Sequence, residues 1–313
     1  MFCQFAREFP PFAAELLDRG ARRKRAIRED TITDLFVAAT VPLASFNVFV
    51  DFSEERRTGA DMEWWFYSME PRGLLRIIVQ AKKIHGKGAN WKRLSYRELA
   101  HPDNSGRQFD DLVAEVRSSS VPTYLLYAFY NTERACSLAN SSSGPLVEGV
   151  SLADGRDVGK IVADIVAQKS REARSLKRLR PLFFPLTHIF CRGRRFPVPF
   201  ARFPAGSEAP IAFLVPHFEP PTPMAVRDAL VEQKRRTSAL VQKEPSSPVE
   251  NGAGVDRWPQ IPQDLQEFPS QVEAEIQKRI AGERSSELKR HRLLFVSGSF
   301  EAELARARNL HRQ

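Results

Sequence analysis

Four polar residues interrupt two apolar runs in TGADMEWWFYSMEPRGLLRIIVQAKK, residues 58–83: Asp61, Glu63, Gln80 and Lys82. A carboxylate, an amide oxygen and an ammonium on adjacent strands have the chemistry of a divalent-cation site. Mg2+ takes hard oxygen ligands and keeps several waters. Asp61 would be the main ligand, and the Gln80 side-chain oxygen or the Ala81 carbonyl would add another. Lys82 cannot bind a metal. It would orient or help deprotonate an attacking water, or neutralise the charge that grows on a phosphate.

Adjacent strands are what the flanking residues predict. ADMEWWFY (60–67) and LLRIIVQAKKI (74–84) are rich in β-branched and aromatic residues. Proline suits a turn centred on Glu70-Pro71, which sets Asp61 opposite Gln80. Side chains alternate along a strand, so Asp61, Glu63, Gln80 and Lys82 share one face with Trp65, Tyr67 and Ile78. The other face carries Met62, Trp64, Phe66, Leu75, Ile77, Val79 and Ala81 and must be core. The mixed face reads as a partly apolar cleft, because buried charges need partners or a cation. A one-residue slip would change the pairing and leave the alternation intact. Lys83 then falls on the core side or at the strand end.

Around this hairpin the periodicity predicts a helix ending near Gly20, a second from about Arg22 to Ala39, and a strand FNVFVDF (46–52). The polar turn SEERRTG follows. Phe109, Leu112, Val113 and Val116 mark an amphipathic helix, and VPTYLLYAFYN (121–131) a buried strand. The core order is helix, three strands, helix, strand.

Gly59-Ala60-Asp61 and Gln80-Ala81-Lys82, in that order of elements, resemble the PD-(D/E)xK phosphodiesterase superfamily of restriction-endonuclease-like nucleases. The Q-x-K form is similar to the variant in Mrr-like enzymes, and a T-G-A-D…Q-A-K pattern resembles a set of uncharacterised bacterial proteins. The resemblance spans about residues 20–131. It implies an α/β restriction-endonuclease-like core, Mg2+ or Mn2+ as cofactor, DNA as substrate and a role in defence. It also implies an acid from the first core helix, and Glu29 stands there, on one helix side with Ile32, Thr33 and Phe36. The metal ligands would be Asp61, Gln80 and Glu29. Glu29 has a second reading, as a residue that favours the helix dipole, and Asp30 and Asp34 are its nearest substitutes. The commoner pattern has an acid where Gln80 stands. Glu63 would supply that missing charge, or else be an exposed strand residue paired with Arg76 or Lys82.

Later segments are read more coarsely. Residues 1–131 form the core with its N-terminal helices. An α-rich extension over 132–236 packs on it, with a long helix from DGRDVGKIV to the basic SLKRL, an irregular PLFFPLTHIF segment and a helix over 223–236. A flexible linker spans 237–266. Residues 267–313 hold a helix and a short strand, RLLFVSG. His85 and His101 read as exposed loop residues, and His188 as a core or interface residue. His188 and Cys191 lack the orienting third group of a nucleophilic pair. Gln108 opens its helix either beside the groove or on the plain surface. Gly86-Lys87-Gly88 lacks P-loop spacing.

The 313 residues carry a formal net charge of +9, which attracts polyanions. The basic runs are 21–28, 171–180 and 191–195, each readable also as a solvated face. Their contacts would be to the nucleic-acid backbone. No run of about 18 apolar residues predicts a membrane span, and the N-terminus does not read as a secretory signal. Cys3, Cys136 and Cys191, odd in number and dispersed, argue against a disulfide framework and a zinc site. A reducing, cytoplasmic setting is the expectation, with a homodimer or an activating protein as further partners. The competing class is a nuclease fold that has lost its chemistry and only binds nucleic acid.

Overall fold

Apolar residues at helical spacing open the chain. Phe2, Ala6, Phe9, Ala13 and Leu17 are buried along α1 (Phe2–Arg22), and Ile32, Phe36 and Val37 along α2 (Glu29–Thr40). The computed structural model describes residues 2–23, 27–52, 61–86, 90–100, 107–168, 172–192, 195–196, 217–218, 220–241, 260–283 and 290–298. Gly59-Ala60, the turn before them, Lys87-Gly88, His101, residues 242–259, 299–313 and parts of the three basic runs lie outside the described residues. Gly20 does not stop α1 but is buried inside it, and α2 begins at Glu29 rather than near Arg22.

After α2 come β1 (Val48–Asp51), β2 (Met62–Met69), β3 (Arg72–Lys83), α3 (Arg107–Ser118) and β4 (Thr123–Tyr130). Then follow α4 (Glu133–Asn140), β5 (Val150–Asp154), α5 (Gly155–Gln168), α6 (Leu176–Leu179), β6 (Phe184–Pro185) and α7 (Thr187–Phe190). Two short strands, β7 (Arg195–Phe196) and β8 (His217–Phe218), pair with each other. The last elements are α8 (Pro223–Val241), α9 (Ser270–Ile280) and β9 (His291–Ser297). The result is a mixed α/β fold on a seven-stranded sheet of order β1-β9-β2-β3-β4-β5-β6.

The hairpin has the register that Pro71 predicts. Met62 pairs with Val79 and Met69 with Arg72, with a cis Glu70-Pro71 bond at the turn. β4 runs parallel to β3, with α3 between them in sequence. β9 departs from local expectation. It lies between β1 and β2, antiparallel to the first and parallel to the second, so β1 and β2 never pair.

The stretch after residue 131 is less helical than expected. VSLAD forms β5, the predicted long helix is split into α5 and α6, and β5, β6 and β9 all join the sheet. The apolar i, i+4 spacing of DVGKIVADIVA masks the short strand before it. In the stretch read as a linker, α8 continues to Val241, and Leu265 is buried with its carbonyl accepting from the Leu74 N–H.

The predicted core face is buried under α1 and α2, with Phe36 stacked on Trp64 at 5.6 Å between centroids. The mixed face is covered as well. Ile78 packs with Leu112, Val113 and Val158 from α3 and α5. Trp65, Tyr67 and Leu74 pack with Ile276 of α9. The face is therefore no open cleft, because α9 returns to cover what the hairpin alone would expose.

Cys3 is disulfide-bonded to Cys191, which ties α1 to the residue after α7. This corrects the expectation of reduced cysteines. The partners are 188 residues apart and share no motif, so spacing could not reveal them. Cys136 is the free cysteine among them.

Candidate functional site

Three elements meet where β2 begins and β3 ends. The Asp61 N–H donates to the Val79 carbonyl at 3.2 Å and continues the hairpin one residue past β2. Its carboxylate turns back across the strand end. Asp61 Oδ2 accepts from the Ala81 N–H at 2.6 Å and from Gln80 Nε2 at 2.7 Å. One side chain thus satisfies a main-chain donor of β3 that lies beyond the end of β2 and holds the amide opposite it. Gln80 Oε1 accepts from Gln108 Nε2 at 3.2 Å, which places Gln108 over the site rather than on the plain surface.

Glu29 enters from the first turn of α2. Its Oε2 accepts the Lys83 N–H at 2.7 Å, and its Oε1 lies 3.6 Å from Lys82 Nζ. Lys82 is buried. Lys83 turns the other way and donates to the Ile27 carbonyl, as strand alternation predicts. Burial pushes the Glu29 carboxyl up to about 7, Lys82 opposes that, and the charges of Asp61 and Glu98 push it further up. Burial is the larger cause, and the Asp61 carboxylate adds to it.

The structure therefore brings together Glu29, Asp61, Gln80 and Lys82. Glu63 goes elsewhere. It is 2% exposed, and each of its oxygens is held by an arginine: Oε1 by Arg292 Nε at 2.6 Å, Oε2 by Arg76 at 2.7 Å. Burial works to raise its carboxyl, but Arg292 and Arg76 outweigh that and hold it below the usual range. The pairing with Arg76 was one of its two readings, here buried rather than exposed. Arg292 comes from β9 and was not foreseen. Arg76 and Arg290 also both bind Glu115 of α3, and Trp65 lies between Arg76 and Arg292, 5.6 and 4.8 Å from its ring.

The oxygen donors that meet at the strand end are two carboxylates and one amide. They are hard ligands, few enough to leave positions for water, and they suit Mg2+ or Mn2+. Among the described residues no group of three or more His, Cys, Asp or Glu side chains is gathered as for a metal ion. A third oxygen would have to come from the Gln80 amide, whose Oε1 accepts from Gln108.

Two exposed basic segments flank this end of the sheet. Arg22, Arg23 and Arg28 lead into Glu29. Beyond Lys83, His85 bridges Ser95, and Ser95 bridges Ser175. That ribbon carries exposed Lys92, Arg93, Arg97, Lys177 and Arg178. The 171–195 run is not one surface, however. Arg180 is buried and holds Ser142 and Pro145, and Arg192 is ion-paired with Glu232. His85 is half-buried 3.9 Å from Glu98, and burial beside Lys83 lowers its pKa. His188 bonds the Ala229 carbonyl of α8, a packing role. Among the described residues no helix is long and apolar enough to cross a membrane.

The chain belongs to a family of unknown function, DUF6615, whose model matches residues 2–300. No curated protein and no solved structure matches it.

Proposed function

We propose that this protein is a divalent-metal-dependent phosphodiesterase that cuts DNA, built on a restriction-endonuclease-like core. The observation that carries the reading is the convergence of Glu29, Asp61, Gln80 and Lys82 from α2, the start of β2 and the end of β3. The order α2, β1, β2, β3, α3, β4 and the parallel pairing of β3 with β4 support it.

Asp61, Glu29 and the Gln80 amide oxygen would hold Mg2+ or Mn2+. The cation supplies Lewis acidity at a phosphate oxygen and a more acidic water. In hydrolysis, the water oxygen forms a bond to phosphorus, the opposite P–O bond breaks, and the leaving oxygen takes a proton. Lys82 stands where it can orient the water or offset the growing charge. Glu29 keeps that ammonium in place. The basic segments on either side suit a polyanion running across the strand end, with affinity that falls steeply with salt. Action against foreign DNA, as a homodimer or with an activating partner, belongs to the same reading.

One observation favours a second reading, a nuclease fold that only binds nucleic acid. Gln80 presents its amide nitrogen to Asp61, a donor where the chemistry needs an oxygen. Incubating supercoiled plasmid with the protein, with and without Mg2+ or Mn2+, beside Asp61→Ala, separates the two. Metal-dependent nicking lost in the variant is the expected result. Salt-sensitive DNA retention without cutting, equal with and without metal, would favour the second.

A further inference from the structure

The chain has five tyrosines, and four of their hydroxyls are partnered within it. Tyr67 donates to Glu273 at 2.9 Å, Tyr96 to Asn131 and Tyr124 to Asp154, and Tyr130 shares a hydrogen bond with Thr33 at 3.0 Å. The fifth is Tyr127 on β4. Its ring is buried and stacks on Phe129 at 6.0 Å. Among the described residues its hydroxyl has no hydrogen-bond partner, and the Asp61 carboxylate is close enough to act on it.

Position explains that charge. Tyr127 pairs with Gln80 in parallel register, so its side chain leaves the sheet on the same face as Gln80 and Lys82. The core around it is shared by Ile78, Leu125 and Phe129, which offer no polar atom. The hydroxyl is not one of the fully enclosed unpaired side-chain atoms of the described residues, and it lies on the face that carries Gln80 and Lys82.

We infer that the Tyr127 hydroxyl faces the ligand, donating its hydrogen bond to an oxygen of the water or phosphodiester held at the Asp61 site. The inference rests on the phosphodiesterase reading. A phenol keeps its proton at neutral pH, so the group is an O–H donor and does not act as a base. A donor there would complement Lys82 on the same face.

The test is Tyr127→Phe in the full chain, which keeps the ring, beside Tyr124→Phe as a partnered control. Three quantities are read: Mn2+ affinity by calorimetry, plasmid nicking, and the unfolding temperature. Tyr127→Phe should unfold no earlier than wild type, because no intrachain bond is lost, whereas Tyr124→Phe should unfold earlier. Nicking by Tyr127→Phe should fall by about 10–100-fold, the usual cost of losing a group behind the ligands. A matching loss of Mn2+ affinity would assign the oxygen to water, and unchanged affinity would assign it to the phosphodiester. A variant that nicks and binds Mn2+ like wild type overturns the inference and leaves the phosphodiesterase reading standing. Wild-type protein that neither binds Mn2+ nor nicks overturns both.

Discussion

One oxygen of Glu29 accepts the Lys83 N–H at 2.7 Å while the other lies 3.6 Å from the Lys82 ammonium. A helix residue and a strand residue therefore fix each other, and burial pushes the carboxyl up to about 7.

That value has a sign. A carboxyl raised from 4.5 to about 7 binds its proton more tightly in the folded chain. Stability from this group is full below pH 4.5 and is lost as pH rises through 7, by up to about 3 kcal/mol. Glu29→Gln should flatten the slope of denaturant-unfolding midpoints over that range. Mn2+ must displace the same proton, so its affinity should rise with pH towards 7 and level off above it. Calorimetry at several pH values reads this directly.

Asp61 has two duties that variants can part. Asp61→Ala leaves the Ala81 N–H without its acceptor and should cost about 1–3 kcal/mol. Asp61→Asn can still accept that bond and should fold with a smaller loss. Both should abolish metal-dependent nicking. An Asp61→Asn protein that nicks at the wild-type rate would remove Asp61 from the ligand set.

Glu63 should behave as a packing residue. Glu63→Ala buries two arginines without their shared acid, a change worth about 3–5 kcal/mol. Chemical denaturation will show it. Where Glu63→Gln stays folded, its Mn2+ affinity should match wild type.

Joining Cys3 to Cys191 closes most of the chain into a loop. Cys3→Ser, or reduction, should lower stability by about 2–4 kcal/mol. Alkylation of oxidised protein followed by mass spectrometry should label Cys136 and neither of the other two.

Arginines in one run should divide by burial. Lys177→Ala with Arg178→Ala should reduce the salt slope of DNA binding by about two, one for each phosphate contact. Arg180→Ala should leave the slope alone and lower the unfolding temperature, since its guanidinium is spent on Ser142 and Pro145.

Local rules carried the hairpin. Pro71 marks the turn, and alternation puts Trp64 inward and Gln80 outward, so the register Met62 to Val79 was legible. Glu29 came from the family resemblance, with its helix side shared by Ile32, Thr33 and Phe36 in agreement. What pairs across long distances was not. RLLFVSG reads as a strand, but nothing in it says that its neighbours are β1 and β2. The arginine that claims one side of Glu63 is 229 residues away. Tyr127 looks like one more aromatic in an apolar run, and only the β3–β4 register reveals that it stands beside Gln80.

The place of β9 has a consequence for synthesis. A ribosome delivers β2 and the Asp61 end of the hairpin long before it delivers His291–Ser297, the strand that must slide in beside them. Until then one edge of β2 has no partner, and Glu63 lacks the Arg292 guanidinium. A nascent chain, or one cut short by a premature stop, thus holds every residue of the candidate site and lacks the strand that sets it. The last strand to be made is therefore the one that closes the inner edge of β2, and the sheet is complete only when the chain has been read almost to residue 298.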